Sequence, residues 1–289
     1  MLPLIHACEA ADESLASAAT QVIGHLRKED ALDILCAHWA HTRGEFLENI
    51  IITAGYTAQS PVEVRLLTAL KLNQPDHIAT HSADVVAPLI QASRDPDAEI
   101  ATRADYLLRH ALSGAALTEF CLRWSQTRDA HLETILLQSQ LIPRQPQPLR
   151  LLCALKLGHQ DVAQKCPPRN LESLLAACQD PDETIQSNAR AALCQLQSKE
   201  SREALCQIFL ANGNEEARQA AIDGGFQPVE MERRALFLFL TAQWHLYETV
   251  DFDQRILRVI YDTAAPELRQ RMARTVQTAG RIEFLTILT

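Results

Sequence analysis

The chain has 289 residues, 47% apolar and 22% charged, a balance that is ordinary for a folded globular protein. Its formal net charge of −9 disfavours nucleic acid as a partner, because acidic surfaces repel phosphate backbones. No apolar run approaches the roughly 20 residues that a membrane span needs, which argues against a membrane protein. Few aromatic residues and abundant alanine and leucine favour helices over strands.

Eight cysteines occur without any C-x-x-C spacing, and most occupy apolar positions of helical patterns. This usage predicts buried thiols in a reducing compartment. The N-terminus lacks the charged segment followed by an apolar one that marks secretion. We therefore expect a cytoplasmic protein.

From the first residues onward, the chain repeats itself at an offset of 85 positions. Three pairs of segments share this offset: Trp39 and Trp124, the runs 65–72 and 150–157 that begin with Arg65 and Arg150, and the Asp-Pro-Asp segments that begin at Asp95 and Asp180. Such repetition is typical of a stacked array. It predicts an all-α solenoid of three copies, approximately 1–85, 86–170 and 171–228, continuous with a divergent helical cap at 229–289.

Apolar spacing predicts about three helix pairs in each copy. In copy two, a helix over 85–92 is followed by Asp95 as an N-cap and Pro96 at the first helical position. Copy three is predicted to use Asp180 in the same way, with the Glu183 side chain accepting from the Asp180 amide as in a capping box. Further helices are predicted at 115–125, 130–141 and 149–157, while 75–84 and 159–170 are irregular. Because Trp39, Trp124, Arg65 and Arg150 repeat within one chain, we interpret them as structural, the two arginines as stacking or capping residues.

The C-terminal segment 229–289 changes character. One long helix is predicted over 230–247, and it carries most of the large aromatic residues. Two more helices are predicted at 254–263 and 266–277, with Gly280 as a C-cap before a short apolar segment at 282–288.

The pattern Asp180-Pro181-Asp182, Ile185, Ala189, Ala192-Leu193, preceded by Leu174-Leu175 and Ala177, resembles the HEAT repeat. It is most similar to the short type first noted in phycobilin lyases. The resemblance covers most of 1–227 and implies an α-solenoid, in a family that includes lyase subunits, adaptors and scaffolds.

A second resemblance covers 234–286. The string at 234–254, with Trp244, Tyr247 and Asp251-Phe252-Asp253, is similar to a helical segment that precedes WD-type propellers in large multidomain bacterial proteins. Together the two resemblances imply a protein–protein interaction scaffold, or an adaptor or regulatory subunit of a larger bacterial assembly, without catalysis of its own. Two alternatives stay open: a subunit of a phycobilin-lyase-type enzyme, and a nucleic-acid-binding HEAT protein.

Two arginines are candidates for partner binding. Arg103 and Arg190 lie on the second helix of a pair, which in such arrays lines the concave face. With Asp105, Gln186 and Gln195 they are predicted to form part of a polar groove. The alternative is a solvated helix face with ordinary i,i+4 pairs.

The N-terminal edge is the second candidate interface. Leu2, Leu4 and Ile5 form an apolar end of the array without a polar capping helix before them. Such an edge predicts a partner or self-association.

Histidine patterns provide no convincing site. His77, His81 and Asp84 have a ligand-like spacing, but they fall in an irregular segment, and a solvated linker is the favoured interpretation. His38 and His41 flank the repeated Trp39 and are predicted to lie on the surface. No phosphate-loop, nucleophile-elbow or zinc-protease motif occurs. We therefore predict no catalytic residue, no metal and no cofactor.

Overall fold

The computed structural model describes residues 2–8, 13–25, 29–281 and 284. Within that part of the chain, regular structure consists of α-helices and short 3-10 turns, without strands, so the fold is all-α. The chain divides into two compact units, Met1–Pro146 and Gln147–Thr289. We call them the first and second units and describe each by itself.

The helices of the first unit are α1 (Leu2–Cys8), α2 (Glu13–Gly24), α3 (Glu29–Thr42), α4 (Glu45–Ala54), α5 (Val62–Lys71), α6 (Val86–Ala92), α7 (Ala98–His110), α8 (Gly114–Thr127) and α9 (Ala130–Ser139). The 3-10 turns Pro75–His77 and Ala83–Val85 lie between α5 and α6. Each helix packs on helices that follow it closely in the chain: α3 packs on α4 and α5, α5 on α7, and α7 on α9.

The helices of the second unit are α10 (Gln147–Lys156), α11 (Gln160–Gln164), α12 (Leu171–Ala177), α13 (Glu183–Cys194), α14 (Lys199–Asn212), α15 (Glu215–Asp223), α16 (Met231–Leu240), α17 (Trp244–Val250), α18 (Arg255–Thr263) and α19 (Pro266–Ala279). A 3-10 turn, Pro168–Asn170, precedes α12. Here α13 packs on α10, α12 and α15, while α16 packs on α14, α17, α18 and α19.

Backbone geometry recurs at the offset seen in the sequence. Nine of the twelve positive φ angles among the described residues fall into three sets of positions: 43, 128 and 213; 55, 140 and 225; and 73, 158 and 242. The first two sets keep the 85-residue spacing throughout. In the third set, residue 158 keeps this spacing from residue 73, but residue 242 lies 84 positions after residue 158. Each of these residues follows a helix, where a left-handed residue satisfies the last carbonyls.

The repeated tryptophans have matching surroundings. Trp39 and Trp124 are fully buried. The guanidinium of the residue four positions later lies over each ring, 5.0 Å from the centroid for Arg43 and 5.1 Å for Arg128. In both cases the arginine is itself the positive-φ residue that ends the helix.

The helix caps of the Asp-Pro-Asp segments differ from the prediction. Asp97, not Asp95, is the N-cap of α7, and its carboxylate accepts from the amides of Glu99 and Ile100. Asp95 instead accepts from the Asp97 amide and pairs with Arg43. The proline therefore lies in the turn before the helix and not at its first position.

The second Asp-Pro-Asp segment, at 180–182, shows the same correction. Asp182 caps α13 through the amides of Thr184 and Ile185, and the Asp180 amide donates to the carbonyl of Ala177. The predicted capping box between Asp180 and Glu183 is therefore wrong.

The long helix predicted over 230–247 is two helices. The break lies at 241–243, where Ala242 has φ 58° and the Gln243 amide donates back to the Leu238 carbonyl. The turn redirects α17 so that Trp244 and Tyr247 reach Phe239 and Phe284, with ring centroids 5.3 to 5.7 Å apart. Gly280 is confirmed as the C-cap of α19, with φ 68°. The predicted segment 282–288 lies outside the described residues, apart from Phe284.

Candidate binding groove

A groove of about 280 Å³ opens on the first unit between the end of α5 and the side of α7. Its floor is apolar because Leu70, Ile78 and Leu107 point inward and are almost fully buried. The chain leaves α5 through Asn73, whose positive φ turns the backbone toward Pro75 and Ile78. This turn places one wall of the groove opposite α7.

Tyr106 of α7 forms the rim of this groove, which we call the Tyr106 groove. Its side chain is 62% exposed, the most exposed aromatic ring of the first unit's described residues. The ring lies 4.8 Å from that of His110, one turn further along the helix. The Tyr106 hydroxyl has no hydrogen-bond partner among the described residues, so both the ring and the hydroxyl face solvent.

Arg103 holds the α7 wall against α5. Its Nη1 donates to the carbonyls of Leu70 and Lys71, each at 2.7 Å, and Glu99 lies 3.6 Å from its Nη2. The end of a helix carries partial negative charge from free carbonyls, which a guanidinium stabilises. Asn188, 85 positions later, donates to the Leu155 carbonyl at 2.7 Å in the second unit. Arg103 is therefore a fixed part of the wall.

An ion cluster lies beside this helix end. Lys71 is largely buried and contacts Glu48 at 2.7 Å and Asp97 at 2.8 Å. Burial alone would raise the pKa of Asp97, but hydrogen bonds from Lys71 and from two backbone amides outweigh it and hold that pKa below its usual value. The same carboxylate thus caps α7 and neutralises a lysine of α5.

The other predicted binding arginine lies in the second unit. Arg190 lines a cleft of about 270 Å³ with Glu215, Glu216 and Asp223. Its guanidinium contacts Glu216 at 3.1 Å and the Gln186 side chain at 3.2 Å. Three of the residues that line this cleft are acidic, and one of them, Glu216, pairs with Arg190, so the charge of Arg190 is already matched.

The remaining members of the predicted polar groove form local pairs. Asp105 binds Arg109 at 2.9 Å and lies 3.4 Å from His131, while Gln195 accepts from Gln164 at 2.8 Å. The half-buried Arg65 and Arg150 have no hydrogen bond or ion pair from their guanidinium groups to any described residue. The structure thus provides no capping contact for them, and their stacking role stays a prediction.

At the N-terminal edge, Leu4 is half-buried on α1, which packs on α2. The side chains of Leu2 and Ile5 lie outside the described residues. Self-association through this edge stays a prediction.

The histidines are dispersed. His77 and His81 do not share an α-helix, and both are exposed, as is Asp84. His38 is half-buried and His41 exposed. Over the described ranges, no group of three His, Cys, Asp or Glu side chains is placed to hold a metal ion.

Sequence reasoning overlooked Tyr106. Its signal was present, because Tyr106 lies off the inward stripe of Ile100, Ala104, Leu107 and Leu108 and is therefore an aromatic residue on a solvent face. The groove beside it could not be predicted, because its shape depends on the backbone conformation of residues 73–78.

Comparisons with family models, curated proteins and solved structures find no match to the chain. None of the helices in the described ranges combines the length and the apolarity needed to cross a bilayer.

Proposed function

We propose that the chain is a HEAT-like repeat protein that acts as a protein-binding scaffold or adaptor, and that the Tyr106 groove is a binding site for a partner polypeptide. Two observations support the repeat assignment: the positive-φ residues recur at the offset of the sequence repeats, and Trp39 and Trp124 share the same burial and the same stacked arginine. Helices that contact mainly their neighbours in the chain also fit a stacked array.

The Tyr106 groove is the observation that carries the binding role. Tyrosine and arginine are enriched among the residues that dominate binding energy at protein interfaces. Here an exposed tyrosine lies over an apolar floor, and a fixed arginine stands in the wall. A volume of about 280 Å³ suits one or two apolar side chains of a partner segment. The partner proposed is therefore a polypeptide that inserts an apolar anchor beside Tyr106.

Photo-cross-linking tests this proposal. A benzophenone amino acid replaces Tyr106 in one variant and Phe252 in a control, because Phe252 is 87% exposed and does not line the groove. Both variants are irradiated in extracts of the source cells, and adducts are identified by mass spectrometry. We expect a polypeptide adduct that forms from position 106 and not from position 252.

The partner found in this way is then purified and its affinity measured by calorimetry. Tyr106→Ala should weaken binding by tenfold or more, and Tyr106→Phe by less, because the ring contributes most of the buried area. Neither change should alter the circular dichroism spectrum. Absence of a position-specific adduct, or an affinity that Tyr106→Ala leaves unchanged, would overturn the proposal.

A further inference from the structure

A second cleft, of about 350 Å³, lies within the second unit and has a basic rim. Arg150 reaches it from α10, Lys165 from the end of α11, and Arg169 from the 3-10 turn before α12. Its floor includes Leu151 and Cys166, which are 6% and 4% exposed. We call it the Arg150 cleft.

The positive charge of this cleft is not neutralised. Arg150, Lys165 and Arg169 have no ion pair or side-chain hydrogen bond with any described residue. The one carboxylate in the lining, Asp161, lies on α11 four residues before Lys165, which follows the last residue of that helix, and it is beyond ion-pair distance of all three cations.

Several basic residues elsewhere in this protein, whose net charge is −9, are paired with carboxylates. Arg94, Arg123 and Arg218, for example, each bind a carboxylate oxygen within 2.9 Å. Like charges that share a cleft repel one another, and a half-buried guanidinium without a partner has lost hydration without compensation. A bound anion would relieve both costs.

The floor is held in place independently of the cations. The hydroxyl of the fully buried Ser201 donates to the Cys166 carbonyl at 2.7 Å, which ties the segment between α11 and α12 to α14. The cleft is therefore formed before a ligand arrives, and its volume is within the usual range for small-molecule sites.

We propose that the Arg150 cleft binds a small polyanion that carries two or more phosphate or carboxylate groups. Guanidinium groups bind both oxyanions through paired N–H donors, and the lysine adds a point charge. This function goes beyond protein binding at the Tyr106 groove and does not depend on it, since the residues of the two sites do not overlap.

Calorimetric titration of the full chain tests the site, with tripolyphosphate as the phosphate probe and citrate as the carboxylate probe. Binding should weaken as salt rises, because screening shortens the reach of the rim charges. Tighter binding of tripolyphosphate assigns a phosphate ligand, and tighter binding of citrate assigns a carboxylate one. Either result supports the shared oxyanion site.

Matched variants connect the binding to this cleft. The exposed pair Lys165→Ala and Arg169→Ala together should weaken the tighter probe at least tenfold, whereas Asp161→Asn should strengthen it severalfold by removing the opposing charge. Arg258→Ala is the control, because Arg258 is an exposed arginine outside the cleft, and its effect should stay within twofold. All variants are checked for unchanged circular dichroism. Failure of both probes to bind at millimolar concentration, or equal affinities for the double variant and Arg258→Ala, would overturn the proposal.

Discussion

The guanidinium of Arg271 lies over the ring of Phe209, 5.1 Å from its centroid, and donates to the carbonyls of Phe209 and Leu210 at 2.9 and 2.8 Å. Phe209 is 85 positions after Trp124, whose stacked cation is Arg128, four residues along. The corresponding position after Phe209 is Gly213. Arg271 of α19 thus supplies the cation over the Phe209 ring, because Gly213 has no side chain that could do so. The contact attaches α19 to α14.

Replacing Arg271 should loosen α19. Arg271→Ala leaves two carbonyls without their charged donor, and we expect it to lower the free energy of local opening by about 2 kcal/mol. Arg271→Lys should have an intermediate effect, because an ammonium does not reproduce the planar fork that bridges two carbonyls while stacking on a ring. Hydrogen exchange of α19 peptides, followed by mass spectrometry, measures the change. The exposed Arg274 of the same helix is the control, and exchange that is equally fast in Arg274→Ala would contradict the role of Arg271.

Gly213→Ala should destabilise the same junction by a second route. Gly213 has φ 72°, so any side chain costs about 1–2 kcal/mol there, and an added Cβ would lie 3.3 Å from Nε of Arg271. Gly225→Ala is the matched control, because Gly225 has φ 65° but nothing within 4 Å of an added Cβ. Both variants should lose stability in urea, and only Gly213→Ala should also accelerate exchange in α19. Equal exchange in the two variants would show that the Arg271 contact tolerates the methyl group.

Asp182→Asn should remove the ion pair that Asp182 forms with Lys156 and keep its role as the N-cap of α13. The asparagine side chain still accepts from the amides of Thr184 and Ile185, but Lys156, whose side chain is 8% exposed, loses its ion pair with Asp182. The variant removes a charge-assisted hydrogen bond, so the free energy of unfolding should fall by about 2 kcal/mol at pH 7. Urea denaturation measures this loss. Asp253→Asn, which affects an exposed pair with Arg255, should change it by no more than about 0.5 kcal/mol.

The effect of Asp182→Asn should also depend on pH. Burial alone would raise the pKa of Asp182, but the hydrogen bonds from Lys156 and from the two amides outweigh it and hold the pKa below its usual value. A lowered carboxyl pKa contributes stability above the unfolded value of about 3.9 and loses it as the pH falls through the folded value. The difference between wild type and variant should therefore be constant above about pH 5 and shrink below about pH 4. A difference that grows on acidification would contradict this assignment.

Thiol labelling should separate the cysteines into two classes. Burial raises the pKa of Cys36, Cys178 and Cys206 to about 12 and that of Cys166 to about 11. Because the thiolate is the reactive form, these thiols should not react with a disulfide reagent at pH 8 while the chain is folded. Only the half-buried Cys8 and Cys194 should react while the chain is folded, and burial raises the pKa of the Cys194 thiol, which slows its reaction. Mass spectrometry of the labelled protein checks this, with all eight thiols reacting in denaturant, and rapid native labelling of Cys36 or Cys206 would contradict the burial.

Helices whose signals are local could be predicted closely. The predicted helices at 115–125 and 149–157 correspond to Gly114–Thr127 and Gln147–Lys156, because apolar spacing and turn residues act within a few positions. The choice between Asp95 and Asp97 as the cap of α7 could not be predicted in this way. Lys71 lies 26 positions before Asp97 and adds a hydrogen bond to the same carboxylate that accepts the two amides.

The amino-acid sequence by itself determined the all-helical class and the recurrence of Trp39 as Trp124, since both depend on residue types and spacing along the chain. Only the tertiary structure decided where the helix predicted over 230–247 breaks, that Arg271 serves Phe209, and that Arg150, Lys165 and Arg169 share one cleft. The physical reason is the same in each case. These features depend on which carbonyls, rings and charges from distant segments meet, and periodicity within a helix carries no information about that.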